Sequence, residues 1–473
     1  MKKTEKVIGY LPDEKPTTWK LILYALQQVI VMFPATITVA LITGFQVSTT
    51  IFASGLATLC FILITGKKIP LYYGSSFAYL TAIASLVAAK GTAEQLASFA
   101  DTKILPAELI SYAQFGIIMS GLVSIAAGLI IKYAGRNAVE KILPPAITGS
   151  IAMIIGLSLA GNALLDAAPS ADGAGILATN WVWGVSLITL FSTIIYTRYL
   201  KGFLGQLPLL LGAFTGCAAA ALLYAFSGGE MSLFRAMPEA ALSSSLWRSG
   251  IFAVPAFTLP KVSLEAVIAI MPIAIATIPE STAHIYQLDI YVNDVARQKN
   301  KKMKYSLADM LDRNLIGDGI CDMISGFVGG PAGTNYGENI STMAITKVFS
   351  VPVLIVAAII AMLISFFTPL VQVIYGIPLA VIGGLEIYLF GAIAAQGIAI
   401  MIDKKVDMFS SKNIAVIATI MVIGLGGQYA FGGNIPFFGI NVPCIAGAAI
   451  FGIILNALLS IGEKKAVVVE DEV

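Results

Sequence analysis

Charge is scarce in this chain. Asp, Glu, Lys and Arg make up only 12% of its 473 residues, against about 25% in a soluble domain. Hydrophobic residues reach 58% and the mean hydropathy is +0.87, which excludes an ordinary water-soluble globule. Histidine is nearly absent. The single His284 excludes a histidine-rich metal site and leaves histidine-dependent chemistry one location. The four cysteines, Cys60, Cys217, Cys321 and Cys444, each stand alone in an apolar stretch without CxxC spacing, so they read as packing residues. The net charge of +2, with no basic block interleaved with aromatics, argues against nucleic-acid binding. HExxH and GxxxxGK[ST] are both missing, which disfavours a metalloenzyme and a nucleotide phosphate loop. The start, MKKTEKVIGYLPDEKPTTWK, runs into polar residues instead of a short apolar stretch with a cleavage site. It reads as a retained cytoplasmic tail and not as a secretory signal.

Long apolar runs are what the chain has in abundance. A membrane-spanning helix needs about 20 mostly apolar residues, and runs such as 21–43, 109–131 and 203–227 carry none of the charges that would end one. Breaks at charged or Gly/Pro-rich segments give fourteen candidate spans, starting near 21, 46, 69, 109, 142, 178, 203, 264, 314, 336, 351, 376, 412 and 440, with the ninth and tenth short. The positive-inside rule tests that count independently. With the N-terminus inside, all of the 29 basic residues except Lys90, Lys103, Arg235, Arg248 and Lys261 fall on the cytoplasmic side. Adding or removing one span would scramble this sorting downstream.

Fourteen spans divide into seven and seven at the long outer loop near 227–261, and an odd number per half forces opposite orientations. The expected architecture is therefore an all-α polytopic membrane protein built from two inverted repeats, a common plan of secondary transporters. The third span holds Gly74-Ser75-Ser76-Phe77-Ala78-Tyr79, and its counterpart, the tenth, holds Gly333-Thr334-Asn335-Tyr336-Gly337-Glu338. Such segments make poor uninterrupted helices. Broken backbone survives in a bilayer only where protein or a water-filled cavity satisfies it, so matched breaks in inverted halves point to a midplane site. Close helix packing by small residues is the competing explanation, and Glu338 weakens it.

A carboxylate near the membrane centre costs on the order of 3 kcal/mol, so each one demands a partner, a cavity or a function. Glu280, His284 and Gln287 share one helical face at i, i+4 and i+7, and Thr277 extends the stripe. A buried pair that merely neutralises itself is the plain alternative. A carboxylate beside an imidazole can also accept N–H groups of a substrate and hold a transferable proton. Glu338 opens a short helix ending at Lys347, where free amide groups attract carbonyl oxygens and the basic residue suits the other end of the dipole. Asp318 and Asp322 organise or gate the ninth span, Glu386 reads as a helix anchor, Gly212 and Gly216 form a weak GxxxG packing signal, and the sequon at Asn339 falls within a membrane segment. Two carboxylates facing backbone donors suit a small, flat, neutral ligand with alternating N–H and C=O groups, of which uracil is one. An anion would be repelled unless the carboxylates were protonated.

These residues resemble the nucleobase/ascorbate transporter family, and within it the bacterial uracil permeases. The resemblance runs from Gln27-Gln28-Val29-Ile30-Val31-Met32-Phe33 through Gly74-Ser75-Ser76-Phe77 and Gly317-Asp318-Gly319 to the last spans. Its sharpest motif, the run from Glu338 to Lys347, is similar to a signature of Glu/Gln-Asn, a glycine two positions later, then Thr and a basic residue. Ser341 stands at the signature's glycine position, and Gln28 stands where a histidine is frequent. The resemblance implies short β-strands breaking spans 3 and 10. It also implies a cytoplasmic tail (1–20), a core domain (21–135 and 261–370), a gate domain (136–230 and 371–462), an outer loop (231–260) and a second cytoplasmic tail (463–473). It implies that Glu280 and Glu338 hold the base, that Phe77 and Gly337 offer backbone N–H groups, that Tyr336 shapes the pocket, and that His284 joins the two carboxylates in a proton-linked set. A histidine four residues after the eighth-span glutamate looks like the uracil type. The expected activity is proton-coupled uptake of uracil at the plasma membrane, with no enzyme activity and no cofactor beyond the proton. A purine permease is the nearest alternative, and an anion transporter on the same architecture a further one. A homodimer through the gate domain is frequent in the family, and no single residue here decides it.

Overall fold

A computed structural model describes residues 9–135, 141–168, 176–238, 241, 250–301, 305–438 and 440–461. Arg136, Arg248, Lys302, Lys304, Lys464, Lys465, the first eight residues and the expected 463–473 tail lie outside the described residues. Helices α1 (Thr18–Thr43) and α2 (Val47–Ile64) lead into strand β1 (Tyr73–Ser75), a 3-10 turn at Phe77–Tyr79 and α3 (Leu80–Lys90). Then come α4 (Ala93–Thr102), α5 (Ala107–Ala134), α6 (Pro145–Ser158), α7 (Ala160–Ala167), α8 (Ile176–Tyr199) and α9 (Pro208–Phe226). The second half begins with α10 (Leu264–Ile270), a 3-10 turn around Pro272, α11 (Ala274–Gln298) and α12 (Leu311–Val328). Strand β2 (Gly333–Asn335) runs into α13 (Gly337–Thr346), followed by α14 (Val351–Ile364), α15 (Thr368–Tyr375), α16 (Leu379–Asp403) and α17 (Ser411–Phe431). A hairpin of β3 (Asn434–Phe437) and β4 (Ile440–Pro443) precedes α18 (Cys444–Leu459).

Among the described residues, nine helices are long and apolar enough to cross a membrane, and three shorter apolar helices accompany them. At 1.5 Å rise per residue, the 26 residues of α1 extend about 39 Å, enough for a hydrocarbon core of about 30 Å. Two details depart from the sequence expectation. The apolar run from 440 opens as strand β4 and becomes helical only at Cys444, because Gly432 and Gly433 at positive φ turn the chain back after α17. The short helix α15 was not foreshadowed, and Phe367 and Pro369 isolate it from α14.

Glycine sets the closeness of the principal crossings. A Cβ on Gly121 of α5 would meet the Gly319 carbonyl of α12 at 2.3 Å, and one on Gly319 would meet the Gly121 carbonyl at 2.3 Å. The same reciprocity joins α6 to α16 through Gly149 and Gly397, at 2.7 and 2.4 Å. With no side chain between them, backbones approach to contact, the means by which apolar helices bind one another where lipid is as apolar as the protein. Gly212 and Gly216 lie against Thr193 and Thr189 of α8, as a packing motif should. The four cysteines are free thiols.

β1 and β2 pair antiparallel, with Tyr73 opposite Asn335, Gly74 opposite Thr334 and Ser75 opposite Gly333. The ladder is extended by Ser76 N–H to the Ala332 carbonyl (3.0 Å) and Tyr336 N–H to the Tyr72 carbonyl (2.9 Å). All six strand residues are buried. Pairing is what allows extended backbone there, since each strand satisfies the polar groups of the other.

The N-terminal segment is strapped across the ends of α11 and α13. Tyr10 N–H donates to the Lys347 carbonyl (2.8 Å) and Phe349 N–H to the Tyr10 carbonyl (2.8 Å). Lys299 Nζ donates to the Gly9 carbonyl (2.9 Å) and to Glu14 Oε2 (2.5 Å), and Lys301 lies 3.2 Å from Glu14 Oε1. Partial burial opposes ionisation of Glu14, but hydrogen bonds from Lys299, from Leu11 N–H and from Lys301 outweigh it and lower its pKa below the ordinary carboxylate value. A carboxyl lowered in the folded state contributes stability above the unfolded value and loses it as pH falls through the folded one. Amide exchange at residues 9–17 is therefore expected to rise on acidification through the lower carboxylate range, and Glu14→Gln should show the raised exchange already at neutral pH. Equal protection in parent and variant at neutral pH would refute this role for Glu14.

Candidate functional site

Glu280 and His284 owe their placement to Pro279. Proline inside α11 cannot donate to the Ile275 carbonyl, which opens the helix one residue before Glu280. From there the i, i+4 spacing puts Glu280 and His284 on one face, and both line the same cavity. Gln287 leaves that face to donate to Tyr291 Oη (3.2 Å), and Thr277 turns back to the Ala274 carbonyl (3.1 Å), so neither reaches the cavity wall. The expected stripe thus shortens to its two ionisable members.

The adjoining wall comes from the ends of the two strands. Each strand runs directly into a short helical segment, β1 into the Phe77–Tyr79 turn and β2 into α13. The first N–H groups of such segments have no intrahelical acceptor, so Phe77 and Gly337 bring amide-rich ends to the cavity from opposite halves of the chain. Tyr336 donates its hydroxyl to the Ser75 carbonyl (3.0 Å) and lies 2.9 Å from Thr36 Oγ1, which fixes its ring beneath β1. That ring fills the space a side chain at Gly74 would need, 2.3 Å from the Cβ position. Behind β2, Asn335 Nδ2 donates to Asp318 Oδ1 (2.8 Å), and Ser281, next to Glu280, donates to Asp318 Oδ2. Asp318 therefore supports the wall from behind and does not line it.

The cavity holds about 400 Å³, within the range of small-molecule sites. All six expected residues line it: Phe77, Glu280, His284, Tyr336, Gly337 and Glu338. Among the described residues no lysine or arginine pairs with Glu280 or Glu338. His284 Nδ1 is buried without a hydrogen-bond partner, while its Nε2 faces the head of α13, 3.0 Å from where a Cβ on Gly337 would stand. The far wall was missed in the sequence. It comprises Gln206 before α9 and one face of α16 with Tyr388, Ala392, Gln396 and Ile400. Their four-residue spacing, with polar groups inside an apolar run, is the signal that marks that face.

Many apolar helices around a cavity whose mainly apolar wall carries two carboxylates and a histidine define a multi-pass membrane transporter. The model of the permease family (Xan_ur_permease) matches residues 19–433, and the chain belongs to that family. It is 36% identical over 453 residues to the uracil permease of Bacillus caldolyticus, covering 94% of each chain. It is 33% identical over 450 residues to the putative pyrimidine permease RutG of Escherichia coli K12, covering 95% of this chain and 91% of that one. In fold it is similar to the SLC26A9 structure, with a TM-score of 0.62 at 11% identity, covering 93% of this chain and 65% of that longer one. It also resembles the transmembrane domain of the cyanobacterial bicarbonate transporter BicA, with a TM-score of 0.56 at 14% identity, covering 94% and 98%.

A methyl group at Gly337 would press on His284 Nε2. The imidazole must give by a few tenths of an ångström, and misplacement of a site group costs more in rate than in stability, so Gly337→Ala is expected to lower the transport rate of reconstituted protein about tenfold with only a small fall in melting temperature. An unaltered rate would show that His284 and α13 do not need this proximity.

Proposed function

We propose that the chain takes up a nucleobase, uracil first, in symport with protons by alternating access. The observation that carries the proposal is the convergence of Glu280 and His284 from α11 with Glu338 and the Gly337 amide from α13 on one cavity that Phe77 closes from the other half. Carboxylates accept the ring N–H groups of a uracil-like ligand, and helix-end amides donate to its carbonyls. Tyr336 bounds the plane of the pocket. The transported proton resides among Glu280, His284 and Glu338, the ionisable groups of the cavity wall. An anion is disfavoured, because it would meet two carboxylates with no cation between them.

On this reading fourteen spans form two inverted repeats, with β1 and β2 breaking the third and tenth. The core domain comprises 21–135 and 261–370 and carries the base, while the gate domain, 136–230 and 371–462, supplies the wall of Gln206, Tyr388 and Gln396. Both termini face the cytoplasm, the chain resides in the plasma membrane, and a homodimer would form through the gate domain. Support for uracil comes from the curated relative of 36% identity named as a uracil permease. A purine is the alternative within the same chemistry, since its ring presents the same donor and acceptor alternation.

Uptake of labelled uracil into vesicles is expected to collapse when the proton gradient is dissipated, and uptake indifferent to the gradient would leave a facilitator. Glu280→Gln and Glu338→Gln should each reduce uptake by about a hundredfold, the loss typical of a charge-assisted contact, with normal membrane insertion. Normal uptake by both variants would sink the site assignment. Titration of purified protein with uracil, xanthine and sulfate separates the three ligand classes directly.

A further inference from the structure

The cavity wall leaves out Asp322, a carboxylate that is only 2% exposed, one turn beyond Asp318 on α12. Asp322 Oδ1 accepts the N–H of Gly333, the first residue of β2, at 2.8 Å, and the hydroxyl of Tyr73, the first residue of β1. These two donors are not cross-strand partners, for Tyr73 pairs with Asn335 and Gly333 with Ser75. One carboxylate therefore spans the diagonal of the crossing. Tyr79, at the end of the turn that begins at Phe77, meets Ser120 Oγ of α5 at 2.6 Å. The Tyr73 ring is held on its flank as well, since a Cβ at Gly333 would stand 2.4 Å from it.

Energetics favour a purpose for this group. A membrane-buried carboxylate is costly, no lysine or arginine pairs with it among the described residues, and an apolar residue would fill the space more cheaply. What an apolar residue cannot do is accept donors from both strands at once. A ladder of three residues per strand fixes its own offset weakly, and a slip of one residue would send every side chain to the other face. Phe77 follows β1 by two residues and Gly337 follows β2 by two, so the offset of the strands sets the spacing of these amides across the cavity.

We propose that Asp322 is a positioning residue for the transported base, which through Tyr73 and Gly333 fixes β1 against β2 and thereby the separation of the Phe77 and Gly337 amides. The role rests on the uracil reading for its ligand. It is tested with purified full-length protein carrying Tyr73→Phe, Asp322→Asn or both, by measuring the uracil dissociation constant, the melting temperature and amide exchange at Ser76 and Tyr336. Each single variant is expected to weaken uracil about tenfold, the size of one hydrogen bond, and to raise exchange at both amides. Both substitutions weaken the Tyr73–Asp322 bond, Tyr73→Phe by removing its donor and Asp322→Asn by removing the charge of its acceptor, so the double variant should lose less than the sum of the two singles. The melting temperature should stay close to the parent's. Affinities within twofold of the parent overturn the role, and so do losses that add in the double variant and track a falling melting temperature, which describe a structural residue only. Should the parent bind no uracil, the uracil reading fails by itself, and exchange still decides the pin: raised at both amides supports it, unchanged overturns it. Tyr73→Phe removes a single oxygen, so it serves even where Asp322→Asn does not fold.

Discussion

Every buried backbone polar group must find a partner, and this molecule meets that requirement at its centre by letting two buried strands satisfy each other. β1 and β2 come from opposite halves of the chain and exchange hydrogen bonds along three paired residues. Neither could remain extended and buried alone. Because each strand runs directly into a helical segment, Phe77 and Gly337, each two residues past its strand, reach the same cavity, where Glu280 of α11 and Glu338 of α13 also stand. The arrangement depends on small residues, since the Tyr336 ring occupies the side-chain space of Gly74 and the Tyr73 ring that of Gly333.

Much of this was legible in the sequence because polar groups in an apolar run are conspicuous. Glu280, His284 and Glu338 stood out for their cost, and Gly-rich segments at 74 and 333 stood out as poor helix. Fold periodicity could not show which carboxylates faced the cavity. Asp318 and Asp322 carry the same signal as Glu280, but donors from Asn335, Ser281, Gly333 and Tyr73 capture them behind the strands. That distinction depends on contacts between residues distant in the chain. Tyr388 and Gln396 were overlooked for the converse reason, as uncharged groups whose four-residue spacing on α16 also fits ordinary packing. Gln287 and Thr277 belonged to the right helical face and still miss the cavity, because local hydrogen bonds to Tyr291 and Ala274 turn them away.

The likeness to SLC26A9 and BicA at 11% and 14% identity shows how little sequence the architecture itself requires. Reciprocal glycine contacts at α5 with α12 and α6 with α16 can be met by many sequences, provided the backbones approach. Chemistry resides in a handful of side chains placed on that frame. Here two of them, Glu280 and Glu338, are carboxylates that no lysine or arginine pairs with among the described residues.

The strap formed by Tyr10, Lys299, Lys347 and Phe349 imposes an order on biosynthesis. Residues 9–14 have their binding partners near residues 299–350, so they must wait, unpaired, while the intervening chain is made and inserted. β1 waits likewise for β2. The polypeptide cannot seal its interior span by span as it emerges. Closure comes late, and a chain interrupted before residue 333 would hold β1 without β2 and Tyr10 without Lys347 and Phe349.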